Sequence, residues 1–145
     1  MTATEASAPA LLLPTDLLGR WDLHRTVHDR LAGVSGTVTG STELMAEDDG
    51  SVRWHEAGTM VLGATETPVW RTLSVRRGTG DRWHVHFADG RPFHDWAWGD
   101  RVEHACAPDD YTGLLTGTPE RWRVRWEAHG PAKDLVLDSV LTPTR

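Results

Sequence analysis

The chain carries a single cysteine, Cys106, in 145 residues. No intrachain disulfide can form, which suits a reducing, cytoplasmic compartment. A basic excess is also missing. The formal net charge is −6, whereas a nucleic-acid surface normally carries the opposite sign. Long hydrophobic runs are absent too. Leu11–Leu13 is far too short for a membrane span or a signal core, and Met1–Ala10 contains no basic segment. The expectation is a cytoplasmic protein with no nucleic-acid or membrane partner, its oligomeric state open between monomer and homodimer. Residues 1–10 are expected to be a disordered leader and residues 11–145 one domain. The sequence also lacks a nucleophile elbow, a phosphate-binding glycine loop and a dinucleotide fingerprint. No cofactor is implied.

Phenylalanine and tyrosine are scarce, two and one, against eight tryptophans. Tryptophan couples a large apolar body to one N–H donor, so it suits barrel ends and ligand walls. No stretch shows a helical period of useful length beyond the short helical turn expected within Leu11–Leu18. What the chain does show is a period of two. Alternate positions read Trp21, Leu23, Arg25, Val27, then Trp54, Glu56, Gly58, Met60, then Val102, His104, Cys106. Turn signals separate these runs, among them Asp48-Asp49-Gly50, Gly63 to Pro68, Asp89-Gly90, Gly99-Asp100, Pro108-Asp109 and Gly130-Pro131. Their spacing of about ten residues predicts an antiparallel meander of roughly eight to ten strands. Strands as long as those starting at Trp21 and Val34 favour closure into a barrel that encloses one ligand.

The face that should be buried carries charge. Arg25 shares a face with Trp21, Leu23 and Val27; Arg71 with Leu73 and Val75; Glu56 with Trp54 and Gly58. Buried charge is costly unless it is paired or meets a ligand. Two readings stay open: an Arg–Glu pair that closes a barrel end, or a guanidinium that receives an anionic or oxygen-rich ligand.

Asp89-Gly90 predicts a two-residue hairpin loop that sets Phe87 against Pro92 and Val85 against His94. His94 then points inward with Trp96, while Phe93, His84 and His86 point outward. A three-residue loop, Gly99 to Arg101, would place Val102 opposite Trp98 and His104 opposite Trp96, gathering His94, His104 and Cys106 on the inner face. Such an N, N, S set could hold zinc, and His94, His104 or His129 a haem, but no close-spaced C-x-x-C or H-x-x-x-H pair is present, the His84-x-His86 pair faces outward, and no metal is assigned. Tyr111 offers a phenol to the cavity, and Lys133 shares the parity of Leu135, Leu137 and Leu141, which puts it at the rim.

Gly19-Arg20-Trp21 resembles the G-x-W start of lipocalin-like (calycin) barrels. The run Phe87-Ala88-Asp89-Gly90-Arg91-Pro92-Phe93-His94 is more specific. With His104-x-Cys106, Asp110-Tyr111, Trp122, Trp126 and Gly130-Pro131-x-Lys133-Asp134, it resembles an uncharacterised family of small lipocalin-like proteins over about residues 19 to 145. Leu135 departs from that pattern, where an aromatic is more usual. The resemblance implies a calycin-type barrel with an internal cavity and no established activity. The function expected is binding of a small, partly apolar, oxygenated or anionic organic ligand by Arg25, Glu56, Arg71, His94, Trp96, His104, Tyr111 and Lys133. The alternatives are a cofactor-independent cyclase, isomerase or dehydratase using His94, His104 and Tyr111, and a haem or metal barrel.

Overall fold

The computed structural model describes residues 11–145; the leader expected over residues 1–10 lies outside them. A 3-10 turn (Pro14–Leu17) precedes ten strands. These are β1 (Gly19–Asp29), β2 (Val34–Ala46), β3 (Val52–Leu62), β4 (Thr65–Arg77), β5 (Trp83–Phe87), β6 (Pro92–Asp95), β7 (Val102–Cys106), β8 (Asp109–Thr118), β9 (Arg121–Gly130) and β10 (Lys133–Pro143). They form one antiparallel sheet in the order β6-β5-β4-β3-β2-β1-β10-β9-β8-β7. Pairing of β1 with β10 rolls the meander into a nearly closed barrel, whose two free edges are β6 and β7. The expected all-β, lipocalin-like architecture is the one observed.

The period-two reading assigns the faces correctly along the long strands. Trp21 and Leu23 are buried while Asp22 and His24 are exposed, and Trp54 and Glu56 are buried on β3. Inward-facing glycines let the sheet coil. Gly40 lies opposite Gly58, and a Cβ on Gly40 would run into the Ala57 carbonyl and the Gly58 backbone. Only glycine permits strands to approach this closely at a bend.

The 3-10 turn starts at a proline in its first position, where the missing N–H costs nothing. The Asp16 carboxylate accepts a hydrogen bond from the Leu13 amide (2.8 Å). The turn plugs one end of the barrel. Trp21 Nε1 donates to the Leu17 carbonyl (2.9 Å) and Trp96 Nε1 to the Leu12 carbonyl (2.8 Å). Beneath it lie Trp54, Trp98 and Trp122, with ring centroids 5.8 Å apart for Trp54–Trp122 and 6.1 Å for Trp98–Trp122. Packed indoles and leucines therefore fill this half of the interior.

Two registers differ from expectation. At Asp89-Gly90 the loop has three residues: Phe87 N–H donates to the Arg91 carbonyl (2.9 Å), Gly90 N–H to the Phe87 carbonyl (2.9 Å), and Gly90 has φ +91°. A β-bulge then compensates. His86 pairs with Pro92 and Val85 with His94, leaving Phe93 as the extra residue. His94 is thus inward as expected, but Phe93 is not outward. It stacks on Phe87 (4.4 Å) and on Trp126 (4.9 Å), because a bulge sends consecutive side chains to one side.

The second difference is larger. No hairpin joins β6 to β7. The segment after β6 crosses the plugged end instead, where Trp98 bridges to Leu115 and Gly99 N–H donates to the Leu115 carbonyl (2.7 Å). β7 pairs with β8 alone, so His104 lies opposite Tyr111 rather than Trp96, and Val102 opposite Gly113 rather than Trp98. Cys106, at the end of β7, is exposed.

Candidate functional site

Register brings the inner charges together. Glu56 on β3 is the cross-strand neighbour of Arg71 on β4 and of Thr42 on β2, while Arg25 on β1 faces Ser139 on β10. Glu56 Oε1 accepts from Arg25 Nη2 (2.9 Å) and from Arg71 Nη2 (3.3 Å), and Glu56 Oε2 accepts from Thr42 Oγ1 (3.2 Å). Arg25 Nε donates to Ser139 Oγ (2.6 Å). The three charged side chains form a graded set: Glu56 is 5% exposed, Arg25 16% and Arg71 36%. Burial pushes the Glu56 carboxyl upward, but Arg71, Arg25 and the hydrogen bonds from Arg25 and Thr42 outweigh it. The group lies below the usual glutamate range.

Beside this cluster is a partly open pocket of about 120 Å³, walled by Leu23, Val38 and Val69 together with Arg25, Glu56 and Arg71. Gly58 forms part of its lining. The hollow is small because aromatic side chains take up the rest of the interior.

A second polar set continues toward the β6–β7 seam. His94 is buried, and its Nδ1 lies 2.8 Å from the Asp95 carbonyl. A carbonyl can only accept, so Nδ1 carries the proton and Nε2 is left as an acceptor. Burial, followed by the charges of Arg71 and His104, pulls His94 down to about 4. It is a neutral imidazole at neutral pH. His104 packs edge-on against Phe93 (5.2 Å) and Phe87 (5.7 Å) and stands 6.2 Å from the Tyr111 ring. Lys133 Nζ donates to Tyr111 Oη (2.9 Å) and pairs with Asp109 (3.3 Å). Those two contacts, Tyr111 first, raise the Lys133 ammonium above the usual lysine value.

Of the candidate residues, the structure therefore unites Arg25, Glu56 and Arg71 in one cluster, with His94 packed against Phe93 and Trp126 and within reach of the Arg71 charge. His104, Tyr111 and Lys133 form a second group at the seam and rim. Trp96 belongs to neither: it is part of the end plug and is absent from the pocket wall. Among the described residues no three His, Cys, Asp or Glu side chains converge as a metal set. The grouping of His94, His104 and Cys106 fails because Cys106 is exposed. His129 is exposed and near Asp134 (3.3 Å). Thr42, Ser139 and Asp109 were not picked out by sequence reasoning. Thr42 and Ser139 share the inward parity of their strands, and a hydroxyl on a buried face is the signal that would have found them.

The fold resembles that of the S-type phycobiliprotein lyase CPES from Guillardia theta, with 10% identity, a TM-score of 0.62, and coverage of 91% of this chain and 90% of that one. A de novo designed fluorescence-activating β-barrel aligns at 13% identity and a TM-score of 0.48 over 90% of this chain and 96% of that one. Comparison with curated proteins finds no match. The family of unknown function DUF6314 matches residues 17–143, and the chain belongs to that family.

Proposed function

We propose that this barrel binds a small, partly apolar organic molecule bearing anionic or oxygen-rich groups in the pocket beside Arg25, Glu56 and Arg71. One observation carries the reading: two guanidiniums converge on a single buried carboxylate next to open space, leaving an unbalanced positive charge inside the barrel. A purely structural ion pair needs one arginine and no hollow. The apolar wall of Leu23, Val38 and Val69 supports a ligand that is not wholly polar.

The test is a thermal-shift and tryptophan-fluorescence screen of the purified protein with small carboxylic acids, hydroxylated acids and their neutral analogues. A ligand present at 100 times its Kd adds about 2.7 kcal/mol to stability, which such a screen detects. Hits that shift wild type and Arg71→Met alike would refute the site.

A second reading, a cofactor-independent cyclase, isomerase or dehydratase, has one observation in its favour. A neutral His94 with a free Nε2, His104 and the Tyr111 phenol follow one another along the wall from the cluster to the rim. In that reading His94 accepts a proton or orients a carbonyl, Tyr111 donates, and Arg71 holds the developing oxyanion. Turnover that survives His94→Gln combined with Tyr111→Phe would remove it.

A further inference from the structure

We infer that the pocket selects a monocarboxylate, received by Arg71 with its hydrocarbon end against Leu23, Val38 and Val69. This rests on the ligand-binding reading above and narrows it to a chemical class.

Charge sets the valence. Arg25 and Arg71 contribute two positive charges, Glu56 removes one, and the other polar neighbours, Thr42, Ser139 and neutral His94, contribute none. The surplus of one balances a monoanion. A dianionic phosphate would leave excess negative charge beside Glu56, and a cation would meet the surplus directly.

Donor geometry sets the shape. Arg25 already directs Nε to Ser139 and Nη2 to Glu56, whereas Arg71 directs only Nη2 to Glu56. Arg71 Nε and Nη1 have no side-chain or backbone partner among the described residues. Glu56 takes one N–H of Arg71 Nη2; the other N–H of Nη2 forms, with the free Nε–H or Nη1–H on its edge, a coplanar pair that fits the two oxygens of a carboxylate. Arg71 is also the most exposed member of the cluster, so an incoming ligand reaches it first. Arg25 is a positioning residue, held by Ser139 and Glu56, that holds Glu56 in place.

Volume sets the size. A cavity of about 150 Å³ lined by hydrocarbon accommodates benzene, with six heavy atoms. The 120 Å³ here therefore holds about five heavy atoms, a carboxylate and about two carbons, by the same measure, with any further carbons reaching into the opening. The carboxylate is either that of a short-chain acid or the end of a longer acid whose remainder leaves through the opening. Gly58 lines this space without a side chain, and a Cβ there would press on the Thr39 carbonyl and Gly40.

The experiment titrates the full-length protein with sodium isobutyrate, sodium octanoate, isobutyramide and inorganic phosphate. Binding is read by calorimetry and by the NMR shift of the Arg71 Nε–H. Both acids are expected to bind and to move that resonance, with the amide and phosphate about tenfold weaker or worse. Octanoate much tighter than isobutyrate identifies the longer acid as the source, and equal affinity identifies the short one. Arg71→Lys, which keeps the charge and loses the fork, is expected to weaken the acids about tenfold. It serves as the test if Arg71→Met fails to fold. Isobutyramide or phosphate binding as well as isobutyrate would overturn the monocarboxylate while leaving ligand binding intact. If none of the four compounds binds or perturbs Arg71, this inference falls, while the proposed function is decided by the wider screen and its Arg71→Met control.

Discussion

Glu56 and His94 are both buried, and each makes stability depend on pH in a different window. The Glu56 carboxyl is lower in the folded chain than its unfolded value of about 4.3. Its contribution is therefore complete above that value and is lost as pH falls through the folded one. His94 is depressed to about 4, so between about pH 6.5 and 4 the unfolded chain binds a proton that the folded chain refuses. Stability should fall across that interval by about 3 kcal/mol and then stop responding to His94. His94→Gln is expected to flatten the Tm profile from pH 6.5 to 4 and leave the steeper loss below pH 4 in place. A variant whose profile overlays wild type would contradict the burial of a neutral imidazole. Glu56→Gln is expected to behave differently. It strands two guanidiniums around a neutral amide and should cost about 3 kcal/mol at pH 7, with a shallower acid limb, in urea titrations across pH. Retention of full stability would show that the cluster is dispensable to the fold.

At the level of strands, the barrel bends where β2 and β3 place glycines opposite each other, and this is where one added methyl should be felt most. Gly40→Ala would drive a Cβ into the Ala57 carbonyl and the Gly58 backbone, which cannot rotate aside as a side chain can. A loss of about 2–3 kcal/mol in urea unfolding is expected; a change under about 0.5 kcal/mol, the size of an ordinary surface substitution, would mean the two strands are less tightly apposed. Strand faces were legible because a period-two pattern reports burial directly. Trp21, Leu23 and Arg25 read inward, and so they are. Register was far less legible. The Glu56–Arg71 pairing follows from a two-residue turn at Gly63-Ala64, with Leu62 opposite Thr65. Pro68 obscured it, since the proline extends the apparent loop while in fact lying within β4. The Phe93 bulge is invisible to periodicity, because an extra residue looks the same as a change of face. Its effect cancelled the loop-length error, so His94 was placed correctly through two compensating departures. At Gly99 the turn signal was real, with φ +81°. Its partner was not legible, because Trp96 and Trp98 belong to the end plug and that requirement is set by the 3-10 turn far earlier in the chain.

Viewed whole, the barrel stops one pairing short of closure. β6 and β7 are short, with four and five residues, and no ladder joins them. Short edges limit the main chain available to a foreign strand. Here the gap is filled by side chains: Phe93 from the bulge, stacked between Phe87 and Trp126, with His104 against Phe93. Gly113 makes room for this arrangement, since a Cβ there would overlap the Trp126 ring. The polar interior is thus separated from the outside at the seam by packed rings, whereas elsewhere a hydrogen-bonded ladder separates them. Opening such a contact breaks stacking but no backbone hydrogen bond, so local opening should be far less costly here than anywhere in the β1–β10–β9 region. Native-state hydrogen exchange is expected to show the β6 and β7 amides that face the seam exchanging fastest among strand residues, and those between β1 and β10 slowest. Phe93→Ala removes the central ring and should accelerate exchange across β6 and β7, along with Trp126 fluorescence changes, while β1–β10 protection falls only by the global loss of stability. Seam amides as protected as those of β1 in wild type would mean that β6 and β7 close the barrel in solution, and equal acceleration at every strand in the variant would mean that the rings hold the whole fold rather than its gap.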